Sequence, residues 1–414
     1  MKSRKNVRML FAVAAVVALL ASGCSATGND QGSNAGGEIP IGAIVPLTGG
    51  GSQFGPQMEK ALRLAIDEVN KAAPPMGKTF KLYVEDGETN PDAAVRAAQK
   101  LINVNGVKAI LGTWSSGVTL AVAPLAIQAG IVQMHTSGAD ALTSLDSKGL
   151  VWRFQPEARW TGAAVAAAAK VESWKTAAAA ARNDPSGVST IESFTSSFEA
   201  AKGKVLETVT YTPEQASYSS DVRKLANADV DFVFNSTYAP ELTVMVKDAN
   251  TDGSKINWVA PGWAVNNAFI SAVGADAANG VWAVDSAPNV DNQAYKSFMK
   301  AFTAKTGTTL LPSDTYVFSA YDMVVVLALA MTDCECDGGK KLSKSILDIT
   351  TPDGDEVGSY AEGVEGLKAG GKINYQGASS NLDFDEKGNQ IPSFGLYRVV
   401  DGAVALQSTF RVAE

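Results

Sequence analysis

The chain has 414 residues, 46% of them hydrophobic and 19% charged, with a mean hydropathy near zero, a balance that supports a large buried core and excludes a disordered chain. Thirty-five basic residues stand against 43 acidic ones; Lys2, Arg4, Lys5 and Arg8 precede Cys24 with no acidic residue among them, so the remainder carries an excess of twelve negative charges. Such a surface repels a phosphate backbone, no basic run is interleaved with aromatics, and one His with three Cys leaves little for metal clusters or His-based triads.

The N-terminus reads as an export signal. A positive head (Lys2–Arg8) precedes an apolar run of 12 residues, Met9–Leu20, and the small residues Ala21-Ser22-Gly23 lead to Cys24; the run is too short for a mature membrane span. A Cys after small residues at this point resembles the lipobox of bacterial lipoproteins, which implies removal of residues 1–23 and acylation of Cys24. The Gly, Ser and Asn of Ser25–Gly37 predict a flexible tether. The other two thiols, Cys334 and Cys336, are separated by one residue; the spacing makes a bridge strained, and no His or further Cys stands nearby to complete a metal site.

Beyond the tether, strands and helices alternate. Strand Ile39–Val45 leads through a Gly-rich turn to a helix at Gly55–Ala72, whose apolar residues Met58, Leu62, Leu64, Ala65 and Val69 form one stripe. Strands follow at Phe80–Val84, Val107–Leu111 and Ile131–Met134, with helices at Pro91–Val104 and Ser116–Ala129, and after Thr136–Thr143 the chain enters Val151–Phe154. The pattern restarts with helix Thr161–Glu172, strand Thr176–Ala181, helix Ser189–Ala201, strand Val205–Tyr211, helix Ser219–Ala226, strand Val230–Phe234, helix Glu241–Asn250, and strands Ile256–Val259 and Val281–Val284. Helices at Asn292–Thr306, Ser313–Met331 and Leu342–Ile349 follow; the apolar stretch Val324–Met331 is short enough to be a core helix. Continuous apolar strands alternating with helices predict doubly wound parallel α/β sheets, and the length calls for two of them.

Three blocks, Gly42–Asn70, Gly112–Thr143 and Ser219–Asn250, resemble the leucine/isoleucine/valine-binding family of ABC importers, and Asn374–Gly402, with its turn at Asp385-Glu386-Lys387-Gly388-Asn389, resembles that family's closing hairpin. The resemblance implies a two-lobed type I periplasmic-binding-protein fold, a Venus flytrap crossed three times by the chain. It places one lobe at 39–157 plus 285–375 and the other at 158–284 plus 376–414.

In open α/β sheets, ligands lie beyond the carboxyl ends of strands, where helix N-termini offer free N–H groups. The loop Gly112–Thr119 and the segment Thr136-Ser137-Gly138 stand at such positions. Alone, their Ser residues read as helix caps; two such loops on neighbouring strands point to a carboxylate site. The resemblance implies ligand contacts from Ser116, Thr136, Ser137 and Gly138, and aromatic walls at Phe54, Tyr238 and Tyr316, although singly each ring fits core packing as well. Ser186 stands where the family has an aromatic ring, and Trp263 where it has the carboxylate that grips a substrate ammonium. Without that carboxylate an α-ammonium loses a partner worth ~1.5–3 kcal/mol.

Other motifs carry less. Gly366–Ile373 has phosphate-loop spacing but no Ser or Thr after Lys372, Asp383–Gly388 begins like a calcium loop but Phe394 takes the place of the closing Glu, and His135 has no nucleophile elbow to serve; it is expected to line the cleft or its rim. The expectation is therefore an extracytoplasmic, membrane-anchored substrate-binding lipoprotein, with no enzymatic activity, cofactor, metal or nucleic acid, that delivers an amino acid, amide or organic acid to ABC permease subunits. A ligand-sensing subunit of a membrane receptor, using the same closure, is the alternative.

Overall fold

The computed structural model describes residues 36–390 and 393–412; Cys24, the signal and most of the tether lie outside them. The first series of elements is β1 (Glu38–Val45), α1 (Gly55–Ala72), β2 (Thr79–Asp86), α2 (Pro91–Asn103), β3 (Ala109–Thr113), α3 (Ser116–Ala129), β4 (Val132–His135) and β5 (Val151–Arg153). The second is α4 (Ala158–Val171), β6 (Thr176–Arg182), α5 (Pro185–Ala200), β7 (Lys204–Tyr211), α6 (Ser219–Asn227), β8 (Phe232–Ser236), α7 (Ala239–Asp252), β9 (Trp258–Pro261), α8 (Asn267–Val273), α9 (Ala275–Ala278) and β10 (Trp282–Ser286). Then come α10 (Gln293–Thr306), α11 (Thr315–Cys334), α12 (Gly339–Asp348), β11 (Asp355–Val357), α13 (Tyr360–Lys368), β12 (Ile373–Tyr375), β13 (Phe394–Val400) and β14 (Ala403–Phe410).

The strands form two main sheets, one per lobe. The first has five parallel strands in the order β2-β1-β3-β4-β5, and the second has seven in the order β14-β13-β10-β9-β8-β6-β7. In the second, β7, β6, β8, β9 and β10 run parallel and repeat the 2-1-3-4-5 order of the first, while β13 and β14 add an antiparallel edge. Both sheets therefore have a switch point, between β1 and β3 and between β6 and β8, and both open a crevice at their carboxyl ends there.

Each sheet is covered on both faces, which explains the unbroken apolar strands. The first packs α2 and α3 on one side and α1, α10, α11, α12 and α13 on the other; the second packs α4 and α5 on one side and α6 to α9 on the other. The longest helix, α11, has 20 residues, and nearly all of them are buried, so it is the core helix its sequence predicts. It buries a carboxylate, Asp322, which accepts bonds from the Tyr375 hydroxyl, the N–H groups of Ala378 and Ser379, and the Ser379 hydroxyl. Burial outweighs these donors and holds its pKa up at about 6. Beyond α11, Cys334 and Cys336 form a disulfide with Cα atoms 5.2 Å apart, Glu335 between them being left-handed at φ 48°; the one-residue spacing accommodates a bridge.

Two features of the C-terminal part differ from the sequence reading. The turn at Asp385–Asn389 joins no strands: Asp385 Oδ1 accepts the N–H groups of Lys387 and Asn389, and the loop packs on the first lobe, where Gly388 accepts the Arg153 N–H and Phe384 lies 5.3 Å from Trp152. The closing hairpin is β13–β14, turned at Asp401-Gly402 with φ of 51° and 74°, an Asp-Gly pair suited to positive φ at both central positions. The phosphate-loop spacing at 366–373 falls on the end of α13 and the start of β12.

Candidate binding site

A cavity lies between the carboxyl ends of the two sheets. On the first-lobe side, Ser115 caps α3 by accepting the Val118 N–H, and Ser116 accepts the Ala139 N–H at 3.1 Å. The Ser116 hydroxyl thus ties the loop after β3 to the loop after β4 and keeps its own hydrogen to donate. Thr136, 3% exposed, lines the cavity with a hydroxyl that has no partner. An unpaired buried hydroxyl costs roughly 1–3 kcal/mol unless a guest satisfies it.

Arg153 holds this second loop from beneath. The guanidinium is fully buried, and it donates to the carbonyls of Ser137 (2.7 Å) and Ala139 (3.1 Å), to Asn389 Oδ1 (2.9 Å) and to the Thr143 hydroxyl (3.2 Å). Burial lowers its pKa to about 10, against the opposing pull of Glu157 and Asp140, so it remains a cation.

The second lobe and the crossing strands complete the walls. Gly138 lies so close to Ser186 that a Cβ there would sit 3.2 Å from the Ser186 hydroxyl; the missing side chain lets the lobes approach. Gln155, on the first crossing, donates to Ser319 and accepts from Ser286, each at 2.9 Å, joining two crossings and α11. Tyr238 and Tyr316 flank Trp114, with ring centroids 4.9 and 5.8 Å away. The Trp263 indole N–H is spent on the Thr237 carbonyl at 2.9 Å, so its ring presents carbon to the cavity.

Two properties decide what the cavity can hold. Among the described residues, those lining it carry no charged side chain. The N-termini of α3, α4, α5 and α7 all reach it, through Ser115 and Ser116, Ala158, Ser186, and Tyr238. The positive ends of the helix dipoles favour an anion, although the Ala158 N–H at the start of α4 is spent on the Gly138 carbonyl at 2.6 Å, while the aromatic rings favour a flat or apolar body.

Of the residues singled out from the sequence, Ser116, Thr136, Gly138, Ser186, Tyr238, Trp263 and Tyr316 meet at this cavity. Phe54 does not. It is buried behind Trp114 and Tyr316, at 5.5 and 5.1 Å, and Trp114 takes the place on the wall. Nor does Ser137, whose N–H and hydroxyl both turn to His135 Nδ1 at 3.1 and 3.0 Å. His135 itself is core, not rim: burial and nearby Arg153 hold its pKa well below the usual value. The sequence reading misses Trp114, although it stands in the loop Gly112–Thr119. It also misses Gln155, Pro156 and Ala158, on a crossing whose place in space no periodicity reveals, and Thr161 and Thr190, set one turn inside α4 and α5.

Behind Trp263 lies one more carboxyl. Asp285, on β10, is 1% exposed; its Oδ1 accepts the Ser286 N–H at 2.7 Å, and its Oδ2 is unpaired, resting where a side chain on Gly262 would be. Burial raises its pKa to about 7.

Two α/β lobes meeting at a shared cavity, at the carboxyl ends of both sheets, define a solute-binding protein of the flytrap type. The sequence profile of the periplasmic binding protein family matches residues 38–362. The chain belongs to that family. It is 26% identical over 356 residues to the leucine-, isoleucine-, valine-, threonine-, and alanine-binding protein of Pseudomonas aeruginosa, covering 85% of this chain and 87% of the relative. Its fold is similar to that of the leucine binding protein LivK of Thermotoga maritima (TM-score 0.78, 22% identity, covering 90% of this chain and 99% of the other). It is also similar to a solute binding protein of an ABC transporter from R. palustris, solved with benzoate (TM-score 0.73, 20% identity, covering 90% and 96%).

Proposed function

We propose that this protein captures a small carboxylate with an apolar or aromatic body and delivers it to the permease of an ABC importer. The observation that carries the ligand class is the convergence of four helix N-termini and the unpaired Thr136 hydroxyl on a cavity whose described lining includes no charged side chain. A carboxylate meets donors there, whereas an α-ammonium meets no carboxylate, since Trp263 stands at the family's position for one. The relatives support a carboxylate ligand, one being named for leucine, isoleucine, valine, threonine and alanine and another solved with benzoate.

Capture takes place between one lobe formed by 39–157 and the residues after 285, and another formed by 158–284 and the closing hairpin. The packing of Phe384 and Gly388 on the first lobe favours a third crossing after residue 390 rather than at 375. Ser116 and Thr136 orient the carboxylate, Trp114, Tyr238, Trp263 and Tyr316 enclose the body, and no bond is made or broken. Closure then shifts an open–closed equilibrium.

Calorimetry tests the ligand class with leucine, phenylalanine, their deaminated acids and benzoate. The acids are expected to bind the parent as tightly as the amino acids or more so, and Trp263→Glu to reverse the order. Tight leucine binding that Trp263→Ala leaves unchanged returns the protein to the amino-acid class.

Anchoring through Cys24 follows from the charged head, the apolar run and the small residues before the thiol. Cys24→Ala is expected to move the protein from the membrane to the soluble fraction of cells. A variant that still sediments with membranes contradicts the anchor.

A further inference from the structure

Arg182 ends β6 and is absent from the cavity wall, yet it binds together two of the second-lobe helix starts that reach the cavity, those of α5 and α7. Its Nη1 donates to Asp184, the cap of α5, whose other oxygen accepts the Gly187 N–H at 2.7 Å. Its Nε lies 3.3 Å from Oε1 of Glu241, in the first turn of α7 and 3% exposed. The guanidinium carbon sits 4.2 Å from the centroid of the Tyr238 ring. Tyr238 caps α7 without a side-chain bond to it, and on the first lobe it meets Trp114 at 4.9 Å.

These contacts form a chain that spans the cleft: a cation and a phenol ring from one lobe, then an indole from the other, tilted 48° to the phenol. Tyr238 stands on the second lobe but packs in the apolar core of the first. Opening the lobes would strip Tyr238 of Trp114 and leave Arg182 as the group that holds its ring in place.

We propose that Arg182 is a positioning residue for closure: it fixes Tyr238 as the catch onto which Trp114 of the first lobe closes, and so sets the ratio of closed to open protein. The role rests on two-lobed capture and is independent of which solute is captured. Held by two carboxylates in different helices, the guanidinium is a rigid platform, and a planar cation over a ring face attracts it directly. Tyr238 is thereby ordered before the lobes meet, which lowers the entropy lost on closing.

The test needs no solute, so it stands whether or not the carboxylate reading holds. Spin labels are placed at Val104→Cys and Leu206→Cys, 77% and 52% exposed on the first and second lobes, in the full chain carrying Cys24→Ala. With Cys334 and Cys336 bridged, the two introduced thiols take the labels. Pulsed electron–electron resonance then reads the interlobe distance. Arg182→Met is expected to lower the closed-to-open ratio about three- to thirtyfold, Tyr238→Ala to do the same, and the double variant to go no further. Arg182→Lys, which keeps the charge and loses the fork, is expected to move the ratio part of the way; it carries the comparison if the Met variant does not fold. An unchanged distribution in these variants, additive effects in the double variant, or a parent that is wholly open overturns the proposal.

Discussion

Arg153→Met is expected to destabilise the protein by about 3–5 kcal/mol and to abolish tight solute binding, as read by urea unfolding and calorimetry. The size follows from what the substitution leaves behind. The carbonyls of Ser137 and Ala139 and the amide oxygen of Asn389 lose their donor inside the protein, and Glu157, 1% exposed, loses a nearby cation. Removing one partner from a buried charge cluster costs about this much. Binding suffers because the same carbonyls set the loop on which Thr136 and Gly138 stand. Arg153→Lys is expected to recover part of the stability and little of the binding, because one ammonium cannot reach the acceptors at Ser137, Ala139, Thr143 and Asn389 together. A Met variant that unfolds within ~1 kcal/mol of the parent would show that the loop holds itself.

Asp285→Asn is expected to flatten the dependence of stability on pH. The folded pKa of Asp285 is raised to about 7 from 3.8, so its contribution is fully present below the unfolded value and is lost as pH rises through 7. Between pH 5 and pH 8 the parent should lose about 2–3 kcal/mol that the Asn variant keeps. Asp322, with a folded pKa of about 6, titrates in the same window, but it is present in both proteins and cancels in the comparison. Equal losses in parent and variant, measured by denaturant at the two pH values, would show that Asp285 is ionised in the folded protein at pH 5.

The alternation of strand and helix was legible because parallel strands buried on both faces read as unbroken apolar runs, and helices on a sheet keep a single stripe. Even Thr176-Ala177-Ala178-Ala179-Ala180-Ala181 could be placed as β6, where the spacing of the pattern outweighs the helical preference of alanine. The hairpin turn was missed although its signal was present: Asp401-Gly402 between two alternating runs is stronger evidence than the Gly at 388, which a resemblance had brought forward. The short helices α8 and α9 have too few residues for periodicity to show.

For the site, polar loops at strand ends were readable from local chemistry. Which ring fills a wall was not. Phe54 and Trp114 are 5.5 Å apart and exchange roles without any change in local pattern. Gln155 belongs to the site because it bonds Ser286 and Ser319, 131 and 164 positions further along the chain, a fact of topology that spacing along the chain does not carry.

That interleaving also governs how the molecule can be made. Neither sheet assembly is a continuous stretch: the first needs α10 to α13, from beyond residue 292, and the second needs β13 and β14, the last strands of the chain. A polypeptide emerging N-terminus first, from a ribosome or a translocation pore, therefore exposes the apolar faces of β1 to β5 while more than half of it is still to come. Both halves finish late and almost together, which leaves a long interval in which the chain is exposed to aggregation and proteases. The same delay keeps it threadable until its C-terminus is free.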